Sequence, residues 1–331
     1  MLTSFCLLLS VFRRDTVYDW RRSGTGSRCA IGAAVSISIS SVSPADACFP
    51  TALAAIHDPP HTLWVKGDLD VLRSASVAIV GSRAASPYAL EVARQLGADL
   101  ARRRVTVVSG LARGVDSAAH RGALEGGGRT IAVFGCGVDV VYPPEHRELA
   151  ERIAQHGALV SEFPPGMPPL KHNFPQRNRL ISGLSLAVVV VEAAEGSGSL
   201  ITADFALEQG RAVLAVPGNV LGGRNYGAHA LLRDGAKLVE CADDILEELP
   251  PGMRDLGLGI REAKESRKAN PASQDPVLRS MDDGDAYDLD EIAERSGVDR
   301  MKLLPRLLEL ELAGAVRRVD GGRFVRFRGP C

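Results

Sequence analysis

From Ser76 onward the chain alternates short, unbroken apolar runs with helical patterns, and this alternation constrains the fold more than any other feature. "VAIVGSR" is a strand-length run ending in Gly81-Ser82-Arg83, and "PYALEVARQLGADLARR" follows with Pro87 at a helix start. "VTVVSGLARGVD" reads as strand then loop, and "SAAHRGALEGG" as a helix closed by glycines. The pattern continues through "TIAVFGCGVD", the helical "PPEHRELAERIAQHG", "ALVSEF", the very apolar "LAVVVVEA", the helical "SLITADFALEQG", "AVLAVPG" and "GAHALLRDGA". Strands that alternate with helices build parallel βαβ units, and unbroken β-branched runs belong to strands covered on both faces. The predicted fold class is therefore α/β: a Rossmann-like, doubly wound, mostly parallel sheet from about residue 76 to about residue 248. In such sheets ligands sit at the carboxyl ends of the strands.

The segment from Pro250 to Pro276 is proline-rich, charged and without strong periodicity, which reads as a linker. Beyond it, "DLDEIAERSGVDRMKLLPRLLELELAGAVRRVDGGRFVRF" reads as helix, turn at Ser296-Gly297, helix, then a hairpin turned at Asp320-Gly321-Gly322. Leu303, Leu307, Leu308 and Leu310 mark the second helix, and Val316 and Phe324 to Phe327 the wing. The expectation is a small winged-helix domain over 284–328, after a linker over 250–283. Residues 1–48 are expected to be a poorly ordered or misassigned extension. "MLTSFCLLLSVFRR" lacks a basic stretch before its apolar run, so it makes a poor signal peptide, and it is too short to span a bilayer. "SISISSVS" alternates only weakly and suggests no role.

The chain's 331 residues allow two or three domains. With 39 basic against 40 acidic residues, net charge gives no polyanion signal, so any nucleic-acid site must be a local patch. Six scattered cysteines form no CxxC and no zinc pattern, and reduced thiols in a cytoplasmic protein are the simplest reading. No cofactor is expected. The first strand-end turn is not GxGxxG, and no GxxxxGK[ST] occurs.

The strand ends carry the candidate site. Gly81 and Ser82 shape a turn whose backbone N–H groups could face an anion, and Arg83 suits a phosphate bidentately. In the second loop Ser109, Gly110 and Gly114 would allow close backbone approach, Arg113 adds charge, and Asp116 suits a helix N-cap. A capped turn with one solvated arginine accounts for that loop equally well. Cys136, between two glycines, reads as a small buried residue rather than a nucleophile. Gly198 and Ser199 open another anion-friendly helix start. Glu192 and Glu195 beside it could serve hydrolysis but read better as solvated loop acids.

"KHNFPQRNRLISGLS" sits in a stretch from Phe163 to Val191 without any acid. Lys171, Arg177 and Arg179 surround Phe174 with positive potential, and Asn173 and Asn178 add polar contacts. Phe174 could stack on a base while the cations reach flanking phosphates, a pattern suited to a single-stranded groove. A solvated basic loop with Phe174 in the core is the alternative.

At these residues the chain resembles a known family. Gly81-Ser82-Arg83, "SGLARGVDSAAHRGAL", "FGCGVDVVYPPEH", "SEFPPGMPPLKHNFPQRNRLISGLS", "VVVVEAAEGSGSLITADFALEQGR" and "VPGN" together resemble the DNA-processing protein A (DprA/Smf) family, over residues 49–249 plus the tail. The resemblance implies an extended Rossmann core that binds single-stranded DNA and forms a homodimer. It also implies loading of the RecA recombinase on incoming strands in natural transformation, with no enzymatic activity. It places the DNA pocket at Arg83, Lys171 and Phe174, and extends it to Arg177, Arg179 and the glycine turns. Many members carry an N-terminal helical domain, which residues 1–48 do not resemble. Two other readings compete. Lysine-decarboxylase-like phosphoribohydrolases use PGGxGT, but "EGSGSLITADFALEQ" lacks the double glycine. A duplex regulator would need polar residues on "RMKLLPRLLELELAG" to read base edges, and few are present.

Overall fold

The computed structural model describes residues 38–250, 275–282, 285–312, 315–319 and 322–326. Most of the expected extension and linker, and Asp320, Gly321 and Phe327 of the wing, lie outside the described residues.

Nine strands form one sheet in the order β1-β2-β6-β5-β4-β3-β7-β8-β9. They are β1 (Ile39–Val42), β2 (Leu63–Gly67), β3 (Ser76–Gly81), β4 (Thr106–Ser109), β5 (Thr130–Val133), β6 (Ala158–Ser161), β7 (Ala187–Val191), β8 (Ala212–Ala215) and β9 (Lys237–Leu238). From β6 to β9 every pairing is parallel, as expected. Two strands were not anticipated. β2 joins β6 antiparallel, and β1 joins β2 antiparallel, with Ile39 opposite Lys66 and Val42 opposite Leu63. The sheet thus begins inside "SISISSVS", and residues 39–48 belong to the core rather than to an extension.

The helices are α1 (Thr51–Ala54), α2 (Pro87–Arg102), α3 (Val115–Glu125), α4 (Arg147–His156), α5 (Asn173–Gly183), α6 (Gly198–Glu208), α7 (Tyr226–Arg233) and α8 (Ala242–Glu247). α2 starts where its sequence dictates. Ser86 is the N-cap and accepts from the Ala89 N–H at 3.2 Å, with Pro87 at the first helical position. Its buried Ala89, Ala93, Leu96 and Leu100 repeat at helical spacing. Strand periodicity sorts β3 between two cores. Val77 and Ile79 pack with α2 and α3, whereas Ala78 and Val80 pack with α5 residues Leu180 and Ile181. Each such fully buried Val or Ile side chain contributes about 1.5–3 kcal/mol.

The C-terminal module has helices Leu289–Ser296 and Arg300–Leu312 and a three-stranded antiparallel sheet in which Arg323–Arg326 lies between Ala286–Tyr287 and Val316–Val319. Gly297 ends the first helix at φ 69°. A short helix, Pro276–Arg279, adds Val277 and Leu278 to the module's core with Ile292, Leu303, Leu307 and Phe324. This end of the expected linker is therefore part of the folded module. Leu308 points to solvent, 56% exposed, rather than into that core. Among the described residues no helix is long and apolar enough to cross a membrane.

Candidate nucleic-acid interface

Strand order fixes the site. From β3 the chain lays β4, β5 and β6 outward on one side, then returns to place β7 on the other. The crevice at the carboxyl ends of β3 and β7 is the topological switch point, where open α/β sheets bind ligands. The loops after β3, β4 and β7 meet there with α5 around a cavity of about 380 Å³, lined by Gly81, Ser82, Arg83, Asp116, Arg177 and Ser199 among others.

The first two loops hold one another. The Ser82 N–H donates to the Glu192 carbonyl at 2.8 Å, and the Val115 N–H donates to the Ser82 carbonyl at 3.2 Å. Gly114 permits this contact. Its φ is 76°, and a Cβ there would lie 2.2 Å from the Ser82 oxygen. The glycine brings two loops of the protein together, where the sequence suggested ligand approach. Gly114 is also the N-cap of α3, in place of Asp116. The Asp116 carboxylate instead accepts from Gly110 N (3.1 Å) and Ala112 N (3.3 Å), closing the loop from behind. Burial raises its pKa, and the Arg177 charge opposes that shift. Ser109 is buried and donates to the Ile79 carbonyl at 2.7 Å.

The segment expected as a basic loop is the helix α5. Asn173, Arg177, Leu180 and Ile181 form its buried face, at i, i+4, i+7 and i+8. The Nη1 of Arg177 donates to the carbonyls of Gly110, at 2.9 Å, and Val133. Its Nε has no partner among the described residues. Burial pushes Arg177 down to about 10, with Asp116 opposing. Arg179 binds Glu162 through Nη2 at 2.6 Å and Asp58 through Nε at 2.9 Å, with its side chain 8% exposed. The stretch is acid-free in sequence but not in space. Glu162 lies one residue before it, and Asp58 arrives from a distant loop. The expectation that Arg177 and Arg179 reach outward to phosphates is thus corrected. Arg177 forms the cavity's floor and Arg179 an internal ion pair.

Lys171, just ahead of α5, and Arg83 remain exposed and form no ion pair among the described residues. Phe174 is half-buried. Its ring lies 5.5 Å from that of Tyr142, tilted 46°, and a Cβ on Gly135 would approach it to 2.9 Å. It is seated against the loop after β5, neither free nor in the core. Tyr142 escaped the sequence reading, although "VYPPEH" placed an aromatic in a strand-end loop. Arg113 is exposed but paired with Glu145 at 2.5 Å. Asn178 Nδ2 donates to the Gly198 carbonyl at 3.2 Å, joining α5 to the start of α6. At that start Ser197 accepts from the Ser199 N–H, and Gly198 faces open space.

Two further residues resolve. Cys136 is buried, its Sγ donating to the Val140 carbonyl at 3.0 Å, and burial raises its pKa to about 11, as expected of an inert thiol. Glu192 is not a solvated acid: it is 3% exposed, while Glu195 is exposed on the cavity's edge.

A mixed Rossmann-type sheet with an arginine-bearing, glycine- and serine-lined switch-point crevice, followed by a winged-helix module, defines the class of protein. Residues 40–250 match the family model of DNA recombination-mediator protein A, and residues 261–322 match that of the DprA winged helix domain. The chain belongs to the DNA recombination-mediator protein A family. It is 46% identical over 295 residues to Protein Smf of Escherichia coli, covering 87% of this chain and 78% of the relative. It is 47% identical over 203 residues to the DNA processing protein DprA of Streptococcus pneumoniae, covering 61% and 72%. The crystal structure of the latter protein aligns with a TM-score of 0.62 at 45% identity, over 64% of this chain and 75% of that one. A DNA processing protein A from Helicobacter pylori, whose structure is described by its single-stranded DNA binding mode, aligns with a TM-score of 0.59 at 29% identity, over 65% and 99%.

Proposed function

We propose that this chain binds single-stranded DNA without sequence preference along the switch-point rim. Two observations support the reading: Arg83, exposed and without an ion pair among the described residues, lines the switch-point crevice, and Lys171, likewise exposed and unpaired, stands three residues ahead of Phe174, whose ring packs against Tyr142. Cations reach phosphates, which carry no sequence information, and an aromatic face stacks on any base. Membership of the family and the Helicobacter pylori relative's single-stranded DNA binding support it. From the family resemblance alone, the same reading has the chain act as a homodimer in the cytoplasm, protect incoming strands and help load the RecA recombinase in natural transformation. Its activity is binding rather than catalysis. Glu192 and Glu195 do not act as an acid–base pair, because the Glu192 carboxylate is engaged by Ser86.

A gel-shift series at matched salt tests this reading. Single strands should bind at least about tenfold more tightly than duplex of equal length, because the rim pairs a stacking ring with cations. Equal affinities would refute it.

A further inference from the structure

Glu192 directly follows β7 and lines not the crevice itself but the neighbouring cavity, with Ser86, Pro217 and Arg224. A carboxylate close to a polyanion site disfavours the ligand, and a carboxylate 3% exposed is desolvated. Its backbone is also unfavourable. Glu192 has φ 53°, the left-handed region that penalises any residue with a Cβ and that glycine enters freely. A neutral glycine would meet the backbone requirement without the charge. The side chain must therefore do something there, and an outlier of this kind points to a functional constraint.

Its contacts show what that is. The Glu192 carbonyl accepts from Ser82 N at 2.8 Å. Its Oε1 accepts from Ser86 N at 2.9 Å, and its Oε2 accepts the Ser86 hydroxyl proton. One residue thus grips both ends of the loop Ser82–Ser86, which carries Arg83. Arg224 closes the arrangement from outside. Its Nη1 donates to the Ala84 carbonyl at 2.8 Å and lies 3.9 Å from Glu192 Oε1. Ser86 also caps α2, so the loop is fastened to a helix start as well as to β7.

We propose that Glu192 is a positioning residue for Arg83: it latches the Ser82–Ser86 loop so that the guanidinium is held over the crevice. This rests on the single-strand reading above, but it predicts a sign that simple electrostatics does not. Removing a negative charge beside a phosphate site should strengthen DNA binding. Removing a latch should weaken it.

Two readouts test the latch. In the first, single-strand affinity is measured for the full chain. Glu192→Ala should lose about tenfold, the scale of one charge-assisted hydrogen-bond contact. It should add less than about twofold to the loss in Arg83→Ala, yet combine with Lys171→Ala almost additively. Glu192→Gln keeps an acceptor for Ser86 without the charge and should remain within about twofold of the parent. A gain in affinity for Glu192→Ala, or an undiminished loss in the Arg83→Ala background, would overturn the proposal. The second readout uses no DNA. Trypsin cleavage after Arg83 should accelerate in Glu192→Ala while cleavage after Arg113, held by Glu145, stays unchanged. Unchanged cleavage at Arg83 would also overturn it. If the parent failed to bind single strands, the functional reading would fall and this arm would still decide the latch. Should Glu192→Ala not fold, Ser86→Ala removes one of the carboxylate's two hydrogen bonds, and the same acceleration, smaller in size, is expected.

Discussion

Two pairs of cations that look alike in sequence have opposite fates. Lys171 and Arg83 stand in solvent, whereas Arg177 and Arg179, within eight residues of Lys171, are 3% and 7% exposed. The difference is one of periodicity. Lys171 precedes α5, and Arg177 falls one turn after the buried Asn173, on the inward face. A run of basic residues is not a surface until a helix has been threaded through it. The outer pair can offer charge to a ligand, and the inner pair holds the scaffold that aims it.

The largest effect should come from breaking the inner pair. Arg177→Ala takes from the buried Asp116 the charge that most opposes its desolvation and strips donors from the carbonyls of Gly110 and Val133. Each buried carbonyl left without its donor costs about 1–3 kcal/mol. Urea unfolding should show that loss, and a stability near that of the parent would mean that Arg177 is not structural.

Acid should weaken the scaffold next. His120, fully buried behind the second loop, has its pKa pushed down by burial to about 3, against 6.5 in the unfolded chain. The unfolded state therefore takes up a proton that the folded state refuses. The stability from this residue is fully present above pH 6.5 and is lost as the pH falls from there toward 3, at up to about 1.4 kcal/mol per pH unit. His120→Gln should flatten that slope in unfolding measured from pH 7 to 5.

Phe174 lies between the two regimes. Loss of a stacking base should cost about 1–3 kcal/mol of affinity with the salt slope unchanged, because stacking releases no counterion. The cost to folding should stay below the roughly 3–5 kcal/mol of a core phenylalanine, since the ring is only half-buried against Tyr142. A Phe174→Ala protein that melts far earlier yet binds normally when folded would make Phe174 a packing residue.

Much of this was legible in the sequence, and physics marks where it was not. β3 to β8 announce themselves because a strand buried on both faces must be apolar throughout. β1 and β2 do not, because "ISSV" and "LWVKG" lie antiparallel at the sheet's edge with mixed faces. The strand-end loops were found because glycine and arginine at the end of an apolar run are conspicuous. The reasons for the glycines were not, since Gly114 serves a contact with Ser82 that is long-range in sequence. Arg179 looked free because Asp58, one of its partners, is 121 residues away.

Single removals from the outer pair should be milder. Arg83→Ala and Lys171→Ala should each weaken binding to all sequences alike and make the salt slope shallower by about 0.7. Melting temperatures should not move, because exposed cations contribute little to folding. A sequence-dependent loss would show that one of them reads a base.

The smallest effect tests whether exposure alone makes a cation useful. Arg113 is exposed, like Arg83, and sits on the neighbouring loop, but its Nε lies 2.5 Å from the Glu145 carboxylate. The pair presents almost no net charge to a distant phosphate, so Arg113→Ala should change single-strand affinity by less than about twofold, within the range of a surface ion pair. Glu145→Ala should do the opposite of what deleting an acid does inside the scaffold. It frees a cation at the rim, so affinity should rise slightly and the salt slope should steepen by up to about 0.7. Titrating both variants at two salt concentrations decides the matter. A loss for Arg113→Ala as large as that for Arg83→Ala would mean that the ion pair opens to admit DNA, and that the division between free and paired cations is set by the ligand rather than by the fold.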